Sequence, residues 1–484
     1  MTAAGVLLLL AVSPPLAQAP APDPEPAPAI TPTEIRRHIE IVADDSMQGR
    51  NTPSPGLDRA AAYVAREFDR LGLRPAGAER GYEQRWGVSR WVPDSMSSRI
   101  ELAGPGWRLA PRLGVDVRHI GGAVDGREIE GEAVLLKGPL TATSVGDPRL
   151  RDRVVLLPVD FSRPLPPDLQ DRVDQVAATA RAVLILSNRD SATFASRLRT
   201  AAQSRFTPDF RMHEDGAPVL EVHRRAWGAR DLGGSGIHAT IRLERRYLTR
   251  AMVPNLVGVI EGTDPVLREE YVAVTAHMDG VGIRPGAPDS INNGADDNAS
   301  GLAALLEIAE AFGDPAARPR RSVLFLVPSG EEKGLWGSAH FVAHPTVPLD
   351  RIVAVLNMDL IGRNWIDSVI VVGPELSTLG ETLRRVGEAH PELGMAPIAD
   401  RWPEERIFYR SDHYHFARQG VPVLFFTSGT HPDYHQPTDS PDRVDAEKTS
   451  RVARLVYHVA RAVADDPERP RWSPDSYRRI VQEK

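Results

Sequence analysis

Cysteine is absent from all 484 residues. Disulfides, thiolate zinc ligands and a cysteine nucleophile are therefore excluded, while the redox compartment stays open. Neither charge dominates: 58 Lys and Arg stand against 65 Asp and Glu, a net charge of −7 with His neutral. That balance gives no reason to expect nucleic acid or an anionic membrane surface as partner. No stretch has the roughly 18 consecutive apolar residues of a membrane span. No internal repeat is visible, and no feature fixes an oligomeric state.

One apolar run lies near the start, Val6 to Val12, too short to cross a bilayer. It is followed by Ser-Pro-Pro and Ala17-Gln18-Ala19, the shape of a secretory h-region with an A-x-A cleavage site, although no Lys or Arg precedes it. Residues 1–19 are expected to be a signal peptide, placing the mature chain in the periplasm or outside the cell. Residues 20–31 read as a Pro/Ala-rich linker.

The remaining chain has room for two or three domains. Thr31 can cap a helix through Ile35, Ile39 and Val42, and Leu57 to Leu71 carries an i, i+3, i+4, i+7 apolar stripe ending at Gly72. The loop between them, Asp45 to Asn51, reads equally as a connector or as part of a substrate rim. From Ile100 to His238 short β-like runs recur, such as Val154-Val-Leu-Leu157 and Ala182-Val-Leu-Ile-Leu186, with one helical stretch from Leu169 to Ala180. None of these runs ends in ligand-type residues, so residues 97–246 are expected to be an inserted, mostly β subdomain without chemistry of its own. After Leu256 strands and helices alternate, which predicts an α/β domain with a mixed, mostly parallel sheet sandwiched by helices, built from residues 32–96 and 247–465. Residues 466–484 read as a solvated, charged tail.

The chemistry concentrates where apolar runs stop. Tyr271-Val-Ala-Val-Thr-Ala ends in His277-Met-Asp279, Val323-Leu-Phe-Leu-Val ends in Pro-Ser-Gly-Glu331-Glu332, and Ile352 to Leu356 ends in Asn357-Met-Asp359. Asp296 and Asp297 stand just ahead of a helix whose N-cap is expected to be Ser300, which leaves both carboxylates needing another occupation. Tyr434-His435 lies in a polar loop. Open α/β sheets place their sites at strand ends, and two histidines with several carboxylates suit a pair of zinc ions. Asp279 can accept the second N–H of His277 and fix its tautomer. The adjacent Glu331 and Glu332 repel unless something cationic compensates, which one as ligand and one as general base would do.

As an ordered set, His277-Met-Asp279, Gly294-Ala-Asp-Asp-Asn-Ala-Ser-Gly301, Glu331-Glu332-Lys-Gly334-Leu-Trp-Gly337-Ser338, Asn357-Met-Asp359, Ser411-Asp412-His413 and Tyr434-His435 resemble the co-catalytic dizinc aminopeptidases. That group contains bacterial leucyl aminopeptidases, glutamate carboxypeptidase II, the transferrin receptor and glutaminyl cyclases. Arg181-Ala-Val-Leu-Ile-Leu is similar to the protease-associated domain that many members carry as an insert.

The resemblance implies a zinc exopeptidase fold and two Zn2+ per chain. His277 and Asp359 would hold one ion, Glu332 and His435 the other, with Asp297 bridging. Glu331 would be the general base and Tyr434 a donor to the oxyanion, acting on peptides from a free N-terminus. His413, His415 and His431 are left as rim or structural residues. A carboxypeptidase-like dipeptidase, a single-zinc glutaminyl cyclase and a non-catalytic receptor on the same fold are the alternatives. The complete ligand set argues against the last two.

Overall fold

The computed structural model describes residues 30–201, 206–211, 216–228 and 236–483. The expected leader, and the linker up to residue 29, lie outside the described residues. Two large sheets organise the rest.

The first sheet has a parallel centre. Tyr271–Thr275 lies between Ser322–Val327 and Ile352–Met358, and Val423–Thr427 joins the far side of Ile352–Met358, all parallel. Antiparallel pairs extend it: Arg245–Ile260 along Ser322–Val327 and then Glu83–Pro93 on one flank, Ser368–Val372 on the other. The central strands are near-continuous apolar runs because both of their faces are covered. Alternation along each strand divides the core in two. Val272, Val274, Val323, Phe325 and Val327 pack into one cluster, while Tyr271, Ala273, Leu324 and Leu326 pack into another on the opposite face.

Five helices cover the first face. Pro32–Val42 is capped by Thr31, whose hydroxyl accepts from the Glu34 amide at 3.2 Å, and it buries Ile35, Ile39 and Val42. Pro55–Arg70 starts on Ser54 in the same way. Gly301–Gly313, buried along most of its length, Leu379–Ala389 and Ala446–Asp465 complete the layer. On the second face Phe341 of Trp336–Ala343 packs against Phe416 of His413–Arg418. Among the described residues no helix is long and apolar enough to cross a membrane.

The second sheet, eight strands between Arg99 and Arg242, has its own core and helices at Leu169–Ala177 and Ser191–Ala201. One piece of this stretch belongs elsewhere. Phe206–Pro208 returns to pair with Glu83–Pro93 of the first sheet, and Phe210 follows it into an edge-on contact with Trp86. Burial of Phe210 and the Ser89–Asp209 hydrogen bond, 2.6 Å, hold it there.

The tail departs from a solvated extension. Trp472 donates its indole N–H to the Gly420 carbonyl at 2.8 Å, Pro474–Tyr477 forms a helical turn, and Ile480 is buried in the second-face core. The surrounding Arg, Glu and Asp mask a short apolar pattern too sparse to register as a period. Ile480→Ala should therefore destabilise the protein by roughly 2–4 kcal/mol, measured by denaturant unfolding. A change within about 0.5 kcal/mol, the range for exposed sites, would return the tail to solvent.

Candidate metal centre

The parallel strands deliver their C-terminal ends to one edge, and the ligand-type residues gather there. His277 follows Tyr271–Thr275 by two residues, and Asp359 follows Ile352–Met358 directly. Glu331 and Glu332 lie in a turn after Ser322–Val327, where Gly330 and Gly334 take left-handed φ of 77° and 105°. His435 and Tyr434 come from the loop after Val423–Thr427.

Two groups of ligand atoms result: His277, Asp297 and Asp359, and Asp297, Glu332 and His435, each set lying within 4.8 Å of one another. Asp297 is common to both. Its Oδ1 is 3.5 Å from His277 Nε2 and its Oδ2 is 3.1 Å from His435 Nε2. His277 Nε2 is 3.3 Å from Asp359 Oδ1, and His435 Nε2 is 3.0 Å from Glu332 Oε2. Glu331 stands beside the first group, with Oε2 at 3.9 Å from His277 Nε2, and belongs to neither.

Supporting bonds fix these atoms. Asp279 takes the Glu331 amide on Oδ1 at 3.1 Å and the Thr52 hydroxyl on Oδ2 at 3.0 Å. Its own backbone oxygen lies 3.2 Å from His277 Nδ1, nearer than its carboxylate at 3.7 Å. Tautomer control therefore falls to the Asp279 carbonyl as much as to its side chain. Asp359 Oδ2 accepts from Ser411 Oγ at 2.9 Å, Ser411 accepts from Asn357 Nδ2, and Asn357 Oδ1 accepts from Thr275. Tyr434 stacks on His435, ring centroids 3.8 Å apart.

Ser300 is not the expected N-cap. It is already helical and makes no capping bond; its hydroxyl donates back to the Asp296 carbonyl at 2.8 Å. Asn298 caps the turn instead, accepting from the Gly301 amide at 3.1 Å. Asp296 is the structural one of the acidic pair: it accepts from the Gly362 amide and faces His431 at 3.3 Å. His413 is buried against Phe425, and burial pushes it down to about 3; His415 is pushed down to about 4. Neither joins the ligand groups. Arg50, Thr52, Ser411 and Asp439 support the site with no role assigned from sequence, since their partners lie far along the chain: backbone groups for Arg50 and Asp439, the Asp279 and Asp359 carboxylates for Thr52 and Ser411.

The electrostatics call for cations. Five carboxylates, those of Asp279, Asp297, Glu331, Glu332 and Asp359, crowd together with the buried His277 and the partly exposed His435. Burial, then Asp297, pushes Glu332 up to about 7, and burial pushes Glu331 well up. Burial opposes charge on both histidines, but the carboxylates outweigh it, holding His277 high and His435 up to about 10. Glu332 Oε1 and His435 Nε2 are buried with no aligned hydrogen bond, although His435 Nε2 lies close to two carboxylates. Imidazole nitrogen with carboxylate oxygen fits Zn2+ better than the all-oxygen shells of Ca2+ or Mg2+.

A recess opens beside Asp297, Glu331 and Asp359, walled by Trp402, Ile407, Phe425 and Tyr434, with Glu405 and Arg410 also on its lining.

Residues 255–460 match the model of Peptidase family M28. This part of the chain belongs to that family. The M28 domain thus holds all of the ligand-type residues described above. The chain is 24% identical over 306 residues to the aminopeptidase YwaD of Bacillus subtilis, a match covering 61% of this chain and 60% of that protein. It is 25% identical over 266 residues to a glutamate carboxypeptidase 2 homolog of Caenorhabditis elegans, covering 48% of this chain and 32% of that one. These matches span about 60% or less of the relatives' own length. Among solved structures, an aminopeptidase from Aneurinibacillus sp. strain AM-1 aligns with 94% of this chain and 96% of its own at TM-score 0.48 and 17% identity. A zinc aminopeptidase from Bacillus subtilis aligns with 89% of this chain and 94% of its own at the same TM-score and 19% identity.

The charge pattern sets a pH dependence for the metal-free protein. His435 titrates near 10 when folded against 6.5 ordinarily, so the stability its charge contributes is complete below about 6.5 and is lost as pH rises through about 10. Glu332 is raised from 4.5 to about 7, so the folded state again binds more protons and stability falls with rising pH in that window. Below about pH 6.5 the depressed His413 and His415 gain stability with rising pH and oppose Glu332. Metal-stripped protein should therefore unfold at lower temperature from about pH 6.5 to about pH 9, and the gain on adding zinc should grow over that range. A flat metal-free profile would contradict this electrostatic picture.

Proposed function

We propose that the chain is a zinc-dependent exopeptidase, with two zinc ions per chain, that releases the N-terminal residue of peptides. Asp297 carries the reading: one carboxylate turns an oxygen to each of two histidine-and-carboxylate groups, while Glu331 stays outside both. One side chain serving both groups supports a shared pair of ions over two unrelated sites. His277 and Asp359 would hold one ion and Glu332 and His435 the other, with Asp297 between them. This complete set favours a dizinc hydrolase over a single-zinc glutaminyl cyclase or a receptor.

Zinc in these positions supplies, when bound, polarisation of the scissile carbonyl and activation of water near neutral pH. The chain's own residues perform the remaining work. Glu331 takes the proton of the attacking water on its carboxylate and hands it to the departing amine. Its main chain is fixed by Asp279, so the carboxylate is aimed before substrate arrives. Tyr434, kept protonated because burial raises its pKa, donates its phenolic hydrogen to the oxygen that gains charge. The aromatic recess of Trp402, Ile407 and Phe425 receives the side chain of the residue released. The surplus of carboxylates favours a free ammonium at the substrate's end. The insert is read as a protease-associated-type module beside this cleft.

Arg410 supports a second reading. Its guanidinium lies on the recess lining, 3.1 Å from Glu405, where it can instead pair a terminal carboxylate, as a carboxypeptidase-like dipeptidase requires. Dipeptides, aminoacyl amides and their N-acetylated forms separate the two. Loss of cleavage on N-acetylation supports the first reading; retention, with loss on amidation of the C-terminus, supports the second.

Division of labour between the paired glutamates is the direct test. Glu331→Gln should lower turnover roughly 10²–10⁴-fold with both zinc ions retained. Glu332→Gln should lose zinc from one position and recover part of its activity with excess metal. Equal zinc loss in both, or metal rescue of Glu331→Gln, would reverse the assignment.

The apolar run Val6 to Val12 supports export. Protein recovered from an exporting host should have an intact mass that starts near Gln18 to Ala21, and a product retaining Met1 would remove the export reading.

A further inference from the structure

One turn, residues 293–298, carries the carboxylate common to both ligand groups, and it is gripped from two sides. On its acceptor side the carbonyls of Asn293 and Gly294 take hydrogen bonds from Arg50 Nη1 and Nη2 at 2.5 and 2.9 Å. On its donor side the amides of Asp296 and Asp297 both donate to the carboxylate of Asp439, at 3.0 Å each to the nearer oxygen. The Ala295 amide donates to the Asp439 carbonyl at 3.1 Å.

Each grip leads to a different ligand. Arg50 Nε donates to the carbonyl of Met278, the residue between His277 and Asp279, and its Nη1 also reaches the Val42 carbonyl, both at 2.9 Å. Arg50 therefore spans His277 and the Asp297 turn. Asp439 lies four residues after His435 in the same loop, so it spans His435 and the Asp297 turn. We propose that Arg50 and Asp439 are positioning residues with separate duties: Arg50 sets the distance from His277 to Asp297, and Asp439 sets the distance from Asp297 to His435. The inference rests on these residues holding two ions.

The chain goes out of its way to put Arg50 there. Its side chain is 1% exposed, and all four of its hydrogen bonds go to main-chain carbonyls. Gln48, Gly49 and Arg50 all take left-handed φ, at 53°, 65° and 52°. A side chain on Gly49 would meet the Asn292 carbonyl at 2.6 Å and Gly282 at 2.8 Å, so the loop is pressed against the site. Only a planar fork can reach three segments at once; an ammonium is a single point. Burial opposes the charge, and Asp297, Asp439, Asp279 and Glu332 offset it. The loop that reads from sequence as a connector or a rim is thus a brace.

Arg321 supplies the control. It is equally buried and also donates to main-chain carbonyls, those of Val463, Asp466 and Pro467, but pairs with Glu270 away from the ligand groups.

The test uses the full chain, stripped of metal and titrated with Zn2+ against a chromophoric chelator, with Co2+ absorption reporting ligand geometry and thermal unfolding reporting stability. In a Glu332→Gln background one ion remains, on the His277 side. There Arg50→Lys should weaken it roughly 10–100-fold, and Asp439→Asn should change it by less than about threefold. In an Asp359→Asn background the pattern should cross over, with Asp439→Asn now the damaging change. Arg321→Lys should lower unfolding temperature and leave both affinities alone. Uncrossed effects, or equal losses from Arg321→Lys, overturn the proposal. Fewer than two ions on the unmutated chain overturns the dizinc reading and the proposal with it. If Arg50→Lys does not fold, the Asp439 arm decides, with partial recovery in Asp439→Glu required.

Discussion

Five carboxylates packed at one sheet edge are the constraint around which the molecule is built. Like charges a few ångströms apart in a low-dielectric interior repel strongly and resist ionising together. Burying them is tolerable only where their geometry is imposed from outside, because left to themselves the side chains would turn to water or take up protons. The parallel strands do the imposing. Their hydrogen-bonded ladders fix where each chain emerges, and the apolar packing on both faces leaves those exits no freedom to drift.

Around the strand ends a layer of neutral hydrogen bonds spreads the same stiffness to the side chains. Thr275, Asn357 and Ser411 form a relay from the strand interior to the outer oxygen of Asp359. Thr52 and the Glu331 amide do the same for Asp279. The inner oxygens of Asp297, Glu332 and Asp359 are left facing the two imidazoles. Neutral donors stand behind the carboxylates of Asp279 and Asp359, and histidine nitrogens lie between the ligand carboxylates.

Much of this was legible in the chain. Runs such as Val323 to Val327 announce buried strands because both faces are apolar, and an abrupt His or Asp at their end has few bland explanations. The α/β class and the gathering of His277, Asp297, Glu332, Asp359 and His435 followed from that pattern together with the family resemblance. What escaped notice depended on partners distant in sequence. Arg50 bonds to carbonyls 228 to 244 residues away, and a carbonyl has no signature in a sequence. Ser300 looked like a helix cap, but the turn before it coils more widely, so Asn298 meets the free amide first. Phe206–Pro208 is three residues long, too short for any alternation to show where it pairs.

The two long strands Glu83–Pro93 and Arg245–Ile260 lead into and out of the second sheet while remaining paired with each other from Glu83–Leu256 to Pro93–Arg245. A paired ribbon resists bending in its own plane far more than two separate linkers would, and the third strand Phe206–Pro208 thickens it. The insert is consequently mounted on a bracket rather than a hinge. Its neighbour in the first sheet, Ser322–Val327, leads directly to the glutamate turn. Any ligand that tilts the insert must therefore work against the same sheet that holds Glu331 and Glu332 in place.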